Sequence, residues 1–252
     1  MIPYHDENQT LRPAYVTVGL IVACVVAWVV LQGAGAERAL ATSVCNLGLI
    51  PGELTGALPA GARFPLTEDL ICVTDPGPQY LNVLTSMFLH GGWMHLIGNM
   101  WFLWLFGNNI EDSMTRPRFL VFYLLCGLAA ALLQVFVEPD SGIPMVGASG
   151  AISGVMGAYL VLFPRVRVFT LLPLGFFITT VALPAWGMLL YWMFLQFAGG
   201  LSSIGAEGGG VAFWAHIGGF VAGVVFVKPF ASRSHVEAHR RAHWAPRRVG
   251  FD

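Results

Sequence analysis

Residues 166–200 read VRVFTLLPLGFFITTVALPAWGMLLYWMFLQFAGG, apolar almost throughout their 35 positions. How many times this stretch crosses a membrane decides the fold. A hydrocarbon core about 30 Å thick needs roughly 20 helical residues per span, so two spans and a turn need ~40 or more. Pro173, Gly175 and Pro184 break the first half. The stretch therefore reads as an interfacial or re-entrant connection over 168–183, then one span that begins near Leu183-Pro184.

Working outward, the other apolar runs lie near 15–34, 84–107, 118–137, 145–163 and 211–230. With 184–200 they make six candidate spans. Composition agrees: hydrophobic residues are 56% of the chain and charged ones 11%, with mean hydropathy +0.68. A soluble domain carries about 25% charged residues. The expected fold class is all-α, a polytopic bundle of six transmembrane helices. The polar start, residues 1–12, precedes a run too long for a signal-peptide core, so the first span is expected to remain as an anchor.

Charge placement supports six. With the N-terminus inside, the cytoplasmic segments hold Arg12, Arg116, Arg118, Arg165, Arg167, Lys228, Arg233, Arg240, Arg241, Arg247 and Arg248, against Arg38 and Arg63 outside. Such asymmetry is the mark of orientation in membrane proteins. A seventh span would put the basic tail on the wrong side. The expected organisation is a cytoplasmic segment 1–14, a membrane domain 15–230 with an exterior loop 35–83, and a basic cytoplasmic tail 231–252 lying along anionic headgroups. In the loop, Cys45 and Cys72 could pair in an oxidising compartment or stay free, because spacing alone does not bring them together. Cys24 and Cys126 read as small apolar residues within spans. No basic groove points to nucleic acid.

Polar groups inside a membrane are costly and mark function. His90, His95 and Asn99 in the second span, Ser149 in the fourth and His216 in the sixth lie within about ten positions of the outer end of their span. At 1.5 Å per residue they share one layer. Ser149 opens a helix after Pro144-Met145-Val146-Gly147-Ala148, where backbone N–H groups lack helical acceptors. A hydroxyl beside such donors suits acyl transfer. Gly150, Gly154 and Gly157 form a small-residue stripe that Gly219 and Gly223 of the sixth span can meet, which would bring His216 to Ser149. His95 and Asn99, four apart, share a face and can both donate hydrogen bonds. His90 reads either as a residue behind the site that supports it or as a loop anchor, since Gly91-Gly92 can delay the helix. Taken singly, a membrane serine usually bonds its own i−4 carbonyl, and three histidines could hold zinc. The joint pattern favours the nucleophile. Without an HExxH motif or an in-span carboxylate at that depth, no metal is expected.

These residues carry a resemblance. His90-Gly-Gly-Trp-Met-His95-Leu-Ile-Gly-Asn99, Gly147-Ala-Ser149-Gly150 and Ala215-His216-Ile-Gly-Gly219 resemble, in order, the three signatures of the rhomboid intramembrane serine proteases. Asn108-Asn109-Ile110-Glu111-Asp112 is similar to a further rhomboid pattern. The resemblance implies Ser149 as nucleophile, His216 as general base, and His95, Asn99 and the Ser149 backbone N–H as the oxyanion hole, with Gly147 and Gly150 in support. It implies transmembrane protein substrates within a lipid bilayer, no cofactor, a gate formed by the fifth span and a cap formed by loop 199–210. A bacterial plasma membrane, both termini cytoplasmic and a site open to the exterior are expected. The alternative is a catalytically silent escort for membrane proteins, which would usually have lost the serine or the histidine. One departure stands out. Family members commonly place an aromatic four residues after the nucleophile, against the catalytic histidine, and here that position is Ser153. Either another side chain (Trp214 or Phe213) packs His216 or Ser153 bonds it, and Ser153→Tyr or Ser153→Phe should be tolerated.

Overall fold

The computed structural model describes residues 2–66, 70–174, 177–203 and 211–243. Six principal helices coincide with the six apolar runs. They are α1 (Tyr15–Val26, continued by a π-turn Ala27–Leu31), α5 (Trp93–Asp112), α6 (Arg116–Val137), α7 (Ser149–Leu162), α8 (Ala185–Ser203) and α9 (Phe213–Phe230). Among the described helices, α6 and α9 are long and apolar enough to cross a bilayer on length and composition alone. The helix α5 is 20 residues long, but its Asn, His, Glu and Asp residues lower its hydropathy.

The helix α7 is the axis of the bundle, and every residue from Gly150 to Tyr159 is buried. Two neighbours touch it closely because glycines face them. A Cβ on Gly219 would run into the carbonyl of Gly150, and one on Gly223 into the carbonyl of Gly154. A Cβ on Gly154 would also strike Cys126 of α6. Backbones this near exchange dispersion contacts over their whole length, the usual source of helix association in lipid. The outward faces are apolar, with Leu120, Val121, Leu128 and Leu132 on α6 and Phe194, Leu195, Phe197 and Leu201 on α8 all exposed. So large an apolar surface suits lipid and would be anomalous in water.

The chain is mostly helical but not all-α. The stretch 168–183, expected as an interfacial or re-entrant connection, holds two antiparallel paired strands, β4 (Arg167–Leu174) and β5 (Phe177–Pro184). The N-terminal strand β1 (Ile2–Asp6) pairs with β4, giving the order β1-β4-β5. The run Ile178-Thr179-Thr180-Val181 is β-branched and carried that signal. Strand pairing within the sheet satisfies the backbone where a membrane-level irregular segment would not.

At this end of the bundle, polar side chains tie the termini down. Glu111 accepts the backbone N–H groups of Val16 (2.9 Å) and Thr17 (2.7 Å) and the Thr17 hydroxyl, so a carboxylate of α5 satisfies the first turn of α1. Asp112 accepts from Leu11 N–H and Arg12, and its other partner is His239 of α10 (Arg233–His243). Burial pushes the Asp112 carboxyl up, but His239, Leu11 and Arg12 outweigh it and hold the group below the usual range. Asp6 accepts from Tyr159 and Asn109. The Asn108–Asp112 pattern thus fastens both ends of the chain. Of the basic tail, Arg247 and Arg248 lie outside the described residues.

At the other end, the long loop carries α2 (Glu37–Leu47), α3 (Pro51–Thr55) and a small ribbon of β2 (Arg63–Pro65) and β3 (Ile71–Val73). Cys45 and Cys72 are disulfide-bonded, tying α2 to β3. Cys24 and Cys126 are free and buried.

Candidate active site

Ser149 occupies the first position of α7. The approach to it is held by the loop, since Leu49 and Met145 exchange both backbone hydrogen bonds (3.0 and 2.7 Å) and Gly147 N–H donates to Ser86 carbonyl (2.9 Å). Gly147 itself has φ +129°, a conformation only glycine adopts without strain. The chain therefore turns sharply and presents the serine hydroxyl at the mouth of the helix.

His216 lies in the first turn of α9, and its Nε2 is 2.8 Å from Ser149 Oγ. The contact spans 67 residues of sequence and depends on the glycine seam between α7 and α9. Gln134 of α6 steadies the start of α9 by accepting the Ala215 N–H at 3.1 Å, which also satisfies a helix-terminal donor.

His95, Asn99, Ser149, Ser153 and His216 line one cavity of about 630 Å³, together with Trp192 and Met145 among others. Gly91 N–H donates to His95 Nδ1 at 3.1 Å, so the neutral ring carries its proton on Nε2. That Nε2 faces Gly147, where an added Cβ would sit 2.9 Å from it and 3.5 Å from Ser149 Oγ. Asn99 gives one amide N–H to the His95 carbonyl (2.8 Å) and has a second to offer. A negative oxygen formed beside Ser149 would meet donors from α5 and α7.

His90 lies before the helix, as the glycines after it indicated. The helix α5 starts at Trp93, and residues before it form α4 (Asn82–Thr85) and a 3₁₀ turn. Gln32, fully buried, holds the His90 backbone by accepting its N–H (2.8 Å) and donating to its carbonyl (2.7 Å). The His90 ring sits edge-on to His95 at 5.3 Å between centroids. Gln32 is the unforeseen partner, and it holds the His90 backbone rather than its ring.

The surroundings of His216 differ from expectation. Ser153 donates to the Ser149 carbonyl at 2.7 Å and makes no bond to the imidazole. Neither Trp214 nor Phe213 stacks there. Trp192 of α8 lies beside the ring instead, at 5.8 Å and a 36° tilt, and Gln196 Oε1 is 2.7 Å from His216 Nδ1. Gln196 is a lone amide in an otherwise apolar run, a signal of the kind that singled out Asn99. Gly199 and Gly200, expected in a loop, are the last turns of α8, while 204–210 of the expected cap lie outside the described residues.

Residues 77–233 match the family model described as the Rhomboid domain, and the chain belongs to the rhomboid family of integral membrane proteins. Relatives include Rhomboid protein 1, mitochondrial, of Saccharomyces cerevisiae, 27% identical over 67% of this chain and 47% of its own length. Presenilin-associated rhomboid-like protein A, mitochondrial, of Danio rerio is 29% identical over 58% of this chain and 37% of its own. Rhomboid-like protease 5 of Toxoplasma gondii is 30% identical over 64% and 17%. The chain spans less than half the length of these relatives. Their names give no support to the bacterial plasma membrane expected from the sequence; what the family brings is an integral membrane location.

Proposed function

We propose that this protein is an intramembrane serine endopeptidase that cuts transmembrane or membrane-adjacent segments of other proteins. The observation that carries the reading is the 2.8 Å pairing of Ser149 Oγ with His216 Nε2, inside a cavity that His95 and Asn99 also line. In this mechanism the Ser149 oxygen bonds to the scissile carbonyl carbon as its proton passes to His216 Nε2. The carbonyl oxygen takes up the charge and is held by His95 Nε2–H, Asn99 and the Ser149 N–H. The C–N bond then breaks, His216 gives its proton to the leaving amine, and water releases the acyl group by the same route.

The membrane arrangement that goes with it has six spans, both ends cytoplasmic and Ser149 near the exterior face, supported by the basic residues gathered at the sheet end. The core is 15–230, flanked by segments 1–14 and 231–252. A silent escort would not need the nucleophile and base together, and the intact pair weighs against it. The test is incubation with a single-span membrane protein bearing a helix-breaking segment, comparing the wild type with Ser149→Ala and His216→Ala. Both variants should lose cleavage. Undiminished cutting by either overturns the pair, and no cutting by the wild type favours the escort.

A further inference from the structure

We propose that Gln196 is a positioning residue for His216, holding its proton on Nδ1 so that the bare Nε2 faces Ser149. The inference rests on the Ser149–His216 reading above and adds a third member to it. A neutral imidazole has one N–H and one lone pair, and the partner of one nitrogen decides the state of the other. To accept a proton from a serine hydroxyl, Nε2 must be unprotonated. Its distal nitrogen must therefore donate, and on the side packed against α8 the protein has to supply the acceptor. Gln196 Oε1, 2.7 Å from His216 Nδ1, does so.

The neighbouring groups agree with this role. Ser153, which could otherwise have bonded the ring, spends its hydroxyl on the Ser149 carbonyl. Trp192, one turn before Gln196 on the same face of α8, flanks the imidazole at 5.8 Å and Phe220 at 6.3 Å, limiting rotation of the ring. An amide acceptor also carries no charge, so it avoids the cost of a carboxylate in an apolar layer. Because Gln196 belongs to α8 and His216 to α9, the proton is held on Nδ1 only while these helices are in contact.

The experiment uses the full chain in bicelles, labelled with ¹⁵N-histidine, with the His216 signal assigned by its loss in His216→Ala. The wild type should show the Nδ1–H tautomer, and Gln196→Met, which keeps length but offers only a weak thioether acceptor, should show the Nε2–H form or a mixture. With the single-span substrate, Gln196→Met should lower kcat about tenfold or more, with KM within about twofold and unfolding temperature unchanged. Gln196→Glu, which restores an acceptor, should recover most of kcat. A wild-type proton on Nε2, or a Gln196→Met kcat within about twofold of wild type, overturns the proposal. If the wild type does not cleave at all, the peptidase reading fails, while the tautomer still decides the role of Gln196.

Discussion

Trp192 on α8 faces His216 on α9 across 5.8 Å, with their planes tilted 36°. The resemblance assigns the support of the imidazole to a residue on α7, where this chain has Ser153. An aromatic support for the histidine is thus present, but it comes from a different helix.

That exchange changes the expectation for position 153. Ser153 is buried at 1% exposure and lies close to Gly219. With the indole already beside His216, Ser153→Phe overpacks the site and is expected to cost about 1–3 kcal/mol and most of the cleavage. In a Trp192→Ala background the same change should cost less than in the wild type. Apparent unfolding temperatures and cleavage rates of the two singles and the double give the coupling, and additive losses would count against the shared space.

Gly147→Ala is expected to slow cleavage sharply. The backbone there has φ +129°, and the new methyl would meet the His95 ring at 2.9 Å. Strain at such a position costs on the order of 1–3 kcal/mol, and displacing His95 moves the oxyanion donor proposed above. The rate should fall by about 100-fold or more, the scale for loss of one such donor. Activity within a few-fold of wild type would show that His95 is not needed where it stands.

The seam between α7 and α9 can be tested apart from chemistry. Gly223→Ala drives a methyl into the Gly154 carbonyl, whereas Gly19→Ala meets nothing within 4 Å. The first should lower the unfolding temperature markedly and weaken cleavage by separating His216 from Ser149. The second should leave both near wild type. Equal behaviour of the two in a thermal melt would contradict the close backbone packing.

Asp6 provides a pH signature at the opposite end. Burial pushes its carboxyl up from an ordinary 3.8 to about 6, against the hydrogen bond from Tyr159 that favours the charged form. Between those values the folded chain keeps a proton that the unfolded chain has released. Stability from this group is therefore greatest below about pH 4 and declines as pH rises to about 6, by on the order of 3 kcal/mol in full. Asp6→Asn removes the titration and can still accept from Tyr159. The difference between wild-type and Asp6→Asn unfolding temperatures should change across pH 4 to 6, with the variant gaining as pH rises. A flat difference refutes the raised carboxyl.

The helices were legible because a bilayer leaves the sequence little choice: about 20 apolar residues per span is a local requirement. That Ser149, His216, His95 and Asn99 line one cavity was legible for a related reason, since polar groups stand out against such a background and position follows from counting along the helix. The strand pair β4–β5 was less so. Its residues are as apolar as a span's, and the partner that completes the sheet, β1, lies more than 160 positions away in the chain.

What the sequence determined by itself was the set of apolar helices, the layer holding those polar groups and the glycines that let two of those helices touch. Tertiary structure alone decided which side chain supports His216. Trp192 and Gln196 share a face of α8 by their spacing of four, but which neighbour that face meets depends on how α8 packs against α9. That is a non-local outcome of helix packing, and no local pattern in the chain encodes it.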